Sequence, residues 1–258
     1  MRFENEVAVI TGSGRGIGRA IALKMAQEGA SVVINDIDEE VAYSVVREIR
    51  EAGGKAVASV GSVADSRNAS QLIDTAVNEF GTVNILINNA AVTRPAMIDK
   101  MTDEQWDLVV DVGLKGVFNC IRAVAPIYKE RAKQNPEALT NGKIINVTSV
   151  AGLTGTIGQI NYSASKAGLL GITMSTGREW GRYRIQSNAV AFGVVETRMT
   201  DTIRGDEKFA EKYKSKIVLN RFGTTEDVVP GVLFLSSSDA NYITGHVLNI
   251  SGGYHIGV

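Results

Sequence analysis

The feature that most constrains the fold is a regular alternation of short apolar runs with longer amphipathic stretches along the 258-residue chain. Continuous apolar runs of this kind predict strands that are buried on both faces, as in a parallel sheet. The stretches between them have helical periodicity, and two of them, 39–53 and 66–81, end in glycine, a common helix stop. We therefore predict an α/β fold, a single-domain, Rossmann-type, doubly wound parallel sheet of about seven strands. The predicted strands are 7–11, 31–36, 55–60, 83–89, 143–149, 185–191 and 246–250.

The domain organisation follows from the same pattern. No internal repeat, low-complexity tract or linker interrupts it, so residues 1–258 are predicted to form one domain. Two connections are longer than usual. The first, 126–142, is predicted to extend a helix before a loop. The second, 196–223, follows the C-terminal end of a predicted strand, where ligands bind in open α/β sheets, and we interpret it as a substrate lid.

Composition excludes several classes of function. Lys and Arg total 27 against 28 Asp and Glu, so net charge gives no reason to expect nucleic acid or an anionic membrane as partner. The single Cys120 cannot form an internal disulfide, and His246 and His255 lie outside any metal-ligand spacing, so no metal is predicted. No apolar stretch reaches about 18 residues and no signal peptide is evident, so a cytoplasmic protein is expected.

The segment TGSGRGIG, residues 11–18, joins the first predicted strand to the first helix. Its glycines allow a tight turn and a close approach of a pyrophosphate, whose charge is favoured at a helix N-terminus. The alternative is a glycine turn that only packs the helix against the sheet. The predicted cofactor contacts in this loop are Gly12, Ser13, Arg15, Gly16, Ile17 and Gly18.

Asp36 ends the second predicted strand, 18 residues beyond Gly18, where an acidic residue accepts hydrogen bonds from an adenosine ribose. Its carboxylate would repel a 2′-phosphate, and Ile37 offers no compensating positive charge. NAD is therefore favoured over NADP. Arg15 can still approach such a phosphate, and the alternative for Asp36 is a turn or cap acid.

Tyr162 and Lys166 lie four residues apart, so a helix places them on one face. The lysine could there stabilise the tyrosine anion, which predicts a proton-transfer pair. The alternative is an exposed helix pair worth only a few tenths of a kcal/mol. Spacing by itself does not decide between them.

Four segments together resemble the short-chain dehydrogenase/reductase family: TGSGRGIG, NNAA (88–91), NVTSVAG (146–152) and YSASK (162–166). The resemblance covers nearly the whole chain, with Ser149 thirteen residues before Tyr162. It implies that Ser149 holds and polarises a carbonyl oxygen, that Tyr162 passes the proton, and that Lys166 binds the nicotinamide ribose. For Tyr162 to exchange its proton near neutral pH, its pKa must fall by roughly three, which corresponds to about 4 kcal/mol of phenolate stabilisation. Lys166 and an oxidised nicotinamide ring are the expected sources of this stabilisation.

The resemblance also implies further cofactor contacts. Thr197 corresponds to the threonine that hydrogen-bonds the carboxamide, Val195 flanks the same ring, and Asn88 either lines the adenosine side or stabilises the central sheet. The remaining positions are Ser62, Val63, Asn89, Ala90, Ala91 and Gly193.

The chain departs from the family pattern at four positions. Gly113 stands where the family has a catalytic asparagine that holds a water linking the lysine to solvent, so proton exchange is expected to be impaired. Ser62 replaces an aspartate that bonds adenine, and Ala91 replaces a glycine near the cofactor. Phe192 replaces a proline and is expected to add an aromatic wall.

The leading hypothesis is an NAD(P)-dependent enzyme that interconverts a secondary alcohol and a ketone by hydride transfer. The C-terminal segment resembles 3-oxoacyl-thioester reductases and 3-hydroxyacyl dehydrogenases, so the substrate is a small alcohol or ketone or an acyl thioester. The alternative is a non-catalytic nucleotide-binding subunit of a hetero-oligomer. A sugar-nucleotide epimerase would need a longer chain. The resemblance implies a homotetramer formed through helices at 103–132 and 161–182.

Overall fold

The sheet explains the apolar runs. The computed structural model describes residues 1–257; Val258, the last residue of the predicted domain, lies outside the described residues. The strands are β1 (Val7–Ile10), β2 (Ser31–Asp36), β3 (Lys55–Val60), β4 (Ile85–Asn88), β5 (Gly142–Ser149), β6 (Ile185–Phe192) and β7 (Val247–Ile250). They form one parallel sheet in the order β3-β2-β1-β4-β5-β6-β7, which confirms the predicted fold class.

Helices connect the strands and cover both faces of the sheet. They are α1 (Gly16–Gln27), α2 (Glu39–Glu51), α3 (Ser66–Phe80), α4 (Asp103–Val110), α5 (Gly116–Gln134), α6 (Ala151–Thr154), α7 (Ile160–Trp180), α8 (Asp201–Arg204), α9 (Glu207–Lys214) and α10 (Thr225–Ser236). The predicted glycine stops are present: Gly81 caps α3 with φ +82°, and Gly53, with φ +83°, follows Ala52, the C-cap of α2. No described helix is long and apolar enough to cross a membrane.

Each strand contributes to two apolar layers because alternate side chains point to opposite faces. Ile10 packs in the layer formed with α1, α2 and α10, and Val9 packs in the layer formed with α3, α5 and α7. Between β1 and β4 the strand order changes direction. In open α/β sheets, ligands bind at the carboxyl ends of the strands beside such a switch point, and both predicted motif clusters lie on this edge.

Two connections differ in detail from expectation. The helix predicted over 103–132 is interrupted by a π-helical segment, Asp111–Lys115, between α4 and α5. The segment 196–223 contains α8 and α9 and has a small apolar cluster of its own, made of Ala210, Ile217 and Phe222. The ring of Tyr213 in this segment stacks on Tyr254 near the C-terminus, with centroids 6.5 Å apart.

Candidate active site

The glycine loop between β1 and α1 needs its glycines for two different reasons. Gly12 has φ +60°, and a Cβ there would lie 2.8 Å from the Cα of Ala90, so the loop and the end of β4 are in close contact. A Cβ on Gly18 would overlap the Gly12 carbonyl oxygen, because α1 packs closely against the loop at this point. Gly16 has φ +53° and its open side faces the methyl group of Thr197. Gly12 and Gly18 are therefore required for the packing of the loop against the end of β4 and α1, whereas position 16 has more space.

Side chains around the loop hold it in place. The Asn89 side-chain amide donates to the carbonyl oxygens of Thr11 (3.0 Å) and Gly12 (2.9 Å). The Thr11 hydroxyl accepts the backbone N–H groups of Asn89 and Ala90. Ser13 is buried, and its hydroxyl donates to Ile10 O at 2.8 Å. The side chains of Asn89 and Ser13 thus hold the loop in its conformation. Thr11 does the same, although it was not among the predicted cofactor-binding residues.

Asp36 lies beside the same loop. One carboxylate oxygen accepts the Gly14 N–H and the other accepts the Asp38 N–H, each at 3.2 Å. Ile37, the next residue, is 71% exposed. Arg15 does not approach Asp36; its guanidinium pairs with Asp38 at 2.5 Å.

Ser62 and Val63 follow β3 at the adenine side. The Ser62 hydroxyl accepts the Ala64 N–H at 3.3 Å. The Val63 side chain is buried in the core, and its carbonyl accepts the Asn119 side-chain amide at 3.0 Å. Any contact of Val63 with a ligand is therefore made by its backbone N–H.

The three predicted catalytic residues come together at the carboxyl edge of the sheet. Ser149 ends β5, and Tyr162 lies near the start of α7. The Ser149 hydroxyl donates to Phe192 O at 3.4 Å and accepts the Ala151 N–H at 3.1 Å, and it is close enough to the Tyr162 phenol to favour the phenolate. Lys166 lies one turn further along α7, with Nζ 5.7 Å from the centroid of the Tyr162 ring. Its ammonium group donates to Val147 O at 2.7 Å. Two hydroxyls and an ammonium group thus face one small region.

Burial governs the protonation of this cluster. It raises the pKa of Tyr162 to about 12, against the opposing effect of the Ser149 hydroxyl. Burial also lowers the pKa of Lys166 to about 8. The side chains present do not lower the tyrosine pKa by the expected amount, so the protein by itself keeps Tyr162 as a protonated phenol.

Asn161, which the sequence did not single out, fixes the start of the catalytic helix. It is fully buried, and its side-chain oxygen accepts the Tyr162 N–H at 2.8 Å. Its side-chain amide donates to Arg94 O and Gln105 O, both at 3.0 Å. These bonds join the loop after β4, α4 and α7. No spacing rule would identify them, because their partners are 67 and 56 residues away.

Gly113 lies in the π-helical segment and packs against Ser165, the residue before Lys166. A Cβ at position 113 would lie 2.5 Å from the Ser165 hydroxyl. That hydroxyl is buried and has no hydrogen-bond partner among the described residues. The helix is thus interrupted here although glycine stands in place of the family's asparagine. π-Helical turns are frequent at functional sites.

The segment after β6 closes the other side of the site. A Cβ on Gly193 would lie 3.0 Å from Ser251, so a larger residue does not fit, and Val195 is buried. Thr197 caps the 3-10 turn Arg198–Thr200, opposite the glycine loop. Phe192 does not form the expected aromatic wall, because its side chain is 4% exposed and packs in the core on the α1 side.

These residues fit a dinucleotide. The first turn of α1 has no side-chain cap at Arg15, so its N–H groups are free for an anion such as a pyrophosphate. The glycine loop leaves room beside them, and Asp36 supplies an acceptor near the end of β2. Fold and site together define a Rossmann-type, nicotinamide-dependent oxidoreductase.

Comparison with known proteins identifies the family. A family model described as "Enoyl-(Acyl carrier protein) reductase" matches residues 12–255. The chain belongs to the short-chain dehydrogenase/reductase family. It is 42% identical over 254 residues to the 3-oxoacyl-[acyl-carrier-protein] reductase FabG of Thermotoga maritima, covering 98% of this chain and 99% of that protein. It is 40% identical over 251 residues to FabG of Staphylococcus aureus, covering 96% and 98%.

Solved structures agree. A gluconate 5-dehydrogenase from Burkholderia cenocepacia J2315, in complex with NADP and tartrate, has a TM-score of 0.91 and 33% identity, covering 98% of this chain and 96% of that one. The protein is thus an NAD(P)-dependent oxidoreductase that interconverts a secondary alcohol and a ketone by hydride transfer. The hypothesis of a non-catalytic subunit receives no support. The NAD preference is not confirmed, since the matched structure holds NADP.

Proposed function

We propose that the protein interconverts 3-hydroxyacyl and 3-oxoacyl thioesters, with Ser149, Tyr162 and Lys166 as its catalytic residues. The observation that carries the catalytic assignment is the convergence of the Ser149 hydroxyl, the Tyr162 phenol and the Lys166 ammonium group at the carboxyl edge of the sheet. The thioester assignment rests on the 42% identity to a 3-oxoacyl-[acyl-carrier-protein] reductase along almost the full chain.

The chemistry of these residues follows from their protonation. In ketone reduction, the Ser149 hydroxyl donates a hydrogen bond to the substrate oxygen, and Tyr162 delivers its proton to that oxygen. The raised pKa of Tyr162 keeps this proton in place until charge develops on the substrate. Lys166 holds a positive charge on the same helix face and would bind the ribose hydroxyls. When bound, the nicotinamide supplies or accepts the hydride.

The lid proposed for residues 196–223 suits an anionic acyl carrier. Its seven basic residues exceed its five acidic ones. Arg204, Lys214 and Arg221 form ion pairs with neighbouring carboxylates. Arg198 and Lys212 form none within the part of the chain that the structure describes, so they are available to a phosphate-bearing carrier. A solvated helical face is the simpler explanation of the same charges.

A substrate panel tests the proposed function. Purified protein is mixed with NADH or NADPH and acetoacetyl thioesters of coenzyme A and acyl carrier protein, with 5-ketogluconate as the competing sugar acid, and absorbance of the reduced cofactor is followed. We expect the thioesters to be turned over with the higher kcat/KM. Faster turnover of the sugar acid would refute the thioester assignment and leave the oxidoreductase class intact.

We further propose NAD as the preferred cofactor, since Asp36 presents an acceptor and a negative charge where the adenosine ribose would lie. Asp36→Ala is expected to raise the KM for NADH by roughly ten- to 100-fold, because charged hydrogen bonds are worth about 1.5–3 kcal/mol, and to reduce the ratio of kcat/KM for NADH to that for NADPH. The control is Asp74→Ala on the exposed face of α3. Unchanged discrimination in Asp36→Ala would place Asp36 away from the ribose.

The remaining proposals concern assembly and location. A homotetramer through the helices over 103–132 and 161–182 is supported by exposed apolar side chains there, Trp106, Leu108, Phe118 and Met174. Light scattering would measure the mass in solution, and the mass of a monomer would refute the homotetramer.

A cytoplasmic location agrees with the nicotinamide-dependent chemistry and with the single free cysteine, Cys120.

A further inference from the structure

The only basic residue of the glycine loop is held by a carboxylate from a neighbouring segment. The Arg15 guanidinium lies 2.5 Å from the Asp38 carboxylate, and the two side chains are 50% and 40% exposed. Arg15 immediately precedes α1, and Asp38 immediately precedes α2. The pair therefore bridges the two turns between which the adenosine half of a dinucleotide would bind.

Asp38 is the fixed partner in this pair. One of its carboxylate oxygens accepts the Val41 N–H at 3.3 Å, as the N-cap of α2. Its own backbone N–H donates to Asp36, so the residue is anchored at two points besides its bond to Arg15. Arg15 has a long side chain and no ion pair with another described residue. Its position is consequently set by Asp38.

We infer that Asp38 is a positioning residue for cofactor choice, which acts by holding the Arg15 guanidinium and so making it unavailable to a 2′-phosphate. The inference rests on the proposed NAD preference and extends it to a second carboxylate. A phosphate ester is recognised best by a free arginine fork. A cofactor with a 2′-phosphate must break the Arg15–Asp38 pair and also meet two negative charges, Asp36 and Asp38. A cofactor without this phosphate leaves the pair intact.

The test uses calorimetric binding of 2′,5′-ADP and 5′-ADP, which differ only in the 2′-phosphate and need no turnover. Asp38→Asn removes the charge and keeps an oxygen for the cap on α2. We expect the affinity for 2′,5′-ADP to increase about three- to tenfold, the range for losing an exposed ion pair and a nearby like charge, with 5′-ADP little changed. NADP and NAD should follow the same order.

Two further variants separate this role from a general effect of charge. In an Arg15→Gln background, Asp38→Asn should have a smaller effect, because no guanidinium remains to be released and only the removal of a like charge is left. Glu48→Gln releases Arg19, one turn further along α1, from a similar pair and should leave the ratio of affinities unchanged.

The inference is overturned if Asp38→Asn leaves the ratio of affinities unchanged, if its effect is equally large without Arg15, or if Glu48→Gln reproduces it. If 5′-ADP binding were normal while any of these three results was obtained, the inference would be wrong but the proposed function would not be contradicted. If the wild-type protein bound neither nucleotide, both the inference and the proposed cofactor site would be refuted.

Discussion

Replacing Tyr162 with phenylalanine is expected to reduce kcat by roughly 10³-fold or more, with cofactor binding retained. The substitution removes the Tyr162 hydroxyl, whereas the ring and its contact with Lys166 are kept. The raised pKa of Tyr162 keeps its hydroxyl protonated, so Tyr162 is the proton donor in ketone reduction. Ser149 cannot replace it, because an aliphatic hydroxyl is far less acidic than a phenol. The measurement is steady-state kinetics with the best thioester, together with NADH binding by fluorescence.

A matched control is Tyr183→Phe, which removes an exposed phenol bonded to Arg182 and should leave kcat unchanged. Turnover of Tyr162→Phe within about tenfold of the wild type would contradict the assignment of Tyr162 as general acid. In the oxidation direction the wild-type rate should rise with pH, because the phenol must first lose a proton that burial stabilises. A rate that fell with rising pH would argue for a different base.

Two kinds of feature could be predicted from the sequence: those that depend on spacing within one helix or strand, and those that depend on parallel strands ending at the same edge of the sheet. The spacing of Tyr162 and Lys166 follows from one helix, and Ser149 joins them because parallel strands end at a common edge. Contacts between distant segments were not predictable. The pairing of Arg15 with Asp38 depends on how two turns pack, and the bonds of Asn161 depend on a loop 67 residues away.

Phe192 illustrates an error of a different kind. Its place in the pattern suggested a wall of the site, but the alternation of side chains along β6 directs it into the core beside Val190. The protonation of Tyr162 is a second case: its pKa was expected to fall through Lys166 together with an oxidised nicotinamide ring, and in the protein alone burial outweighs the opposing effect of Ser149. Neither effect can be read from residue identities, since both depend on what surrounds the side chain.

The second large effect is expected at Gly113, where restoring the family's asparagine should impair the protein. The new Cβ would lie 2.5 Å from the Ser165 hydroxyl and 3.7 Å from the Ser165 Cβ, so the buried hydroxyl must turn away or α7 must shift to admit the whole asparagine side chain. Overpacking of a buried site typically costs about 1–3 kcal/mol. Since Ser165 directly precedes Lys166, the shift would also reach the catalytic cluster. We expect Gly113→Asn to lower the unfolding midpoint and to reduce kcat about tenfold or more.

Ser165→Ala provides the partner substitution for this test. Its hydroxyl is buried without a hydrogen-bond partner among the described residues, so its removal should be close to neutral. In the double variant, the alanine makes room for the asparagine, and both the unfolding midpoint and kcat should recover substantially. A double-mutant cycle would measure this coupling.

Gly171→Asn is the matched control, because it adds the same side chain to α7 at a glycine whose Cβ would meet nothing within 4 Å. It should change the unfolding midpoint little and leave kcat intact, with light scattering to verify the wild-type mass because Gly171 lies in a helix proposed as a tetramer contact. The opposite result at Gly113 is equally informative. If Gly113→Asn alone raised kcat without loss of stability, Ser165 would be free to turn away, and the missing side chain would be what limits proton exchange at Lys166. If kcat fell and Ser165→Ala restored it, packing between these two residues would explain why glycine occupies position 113.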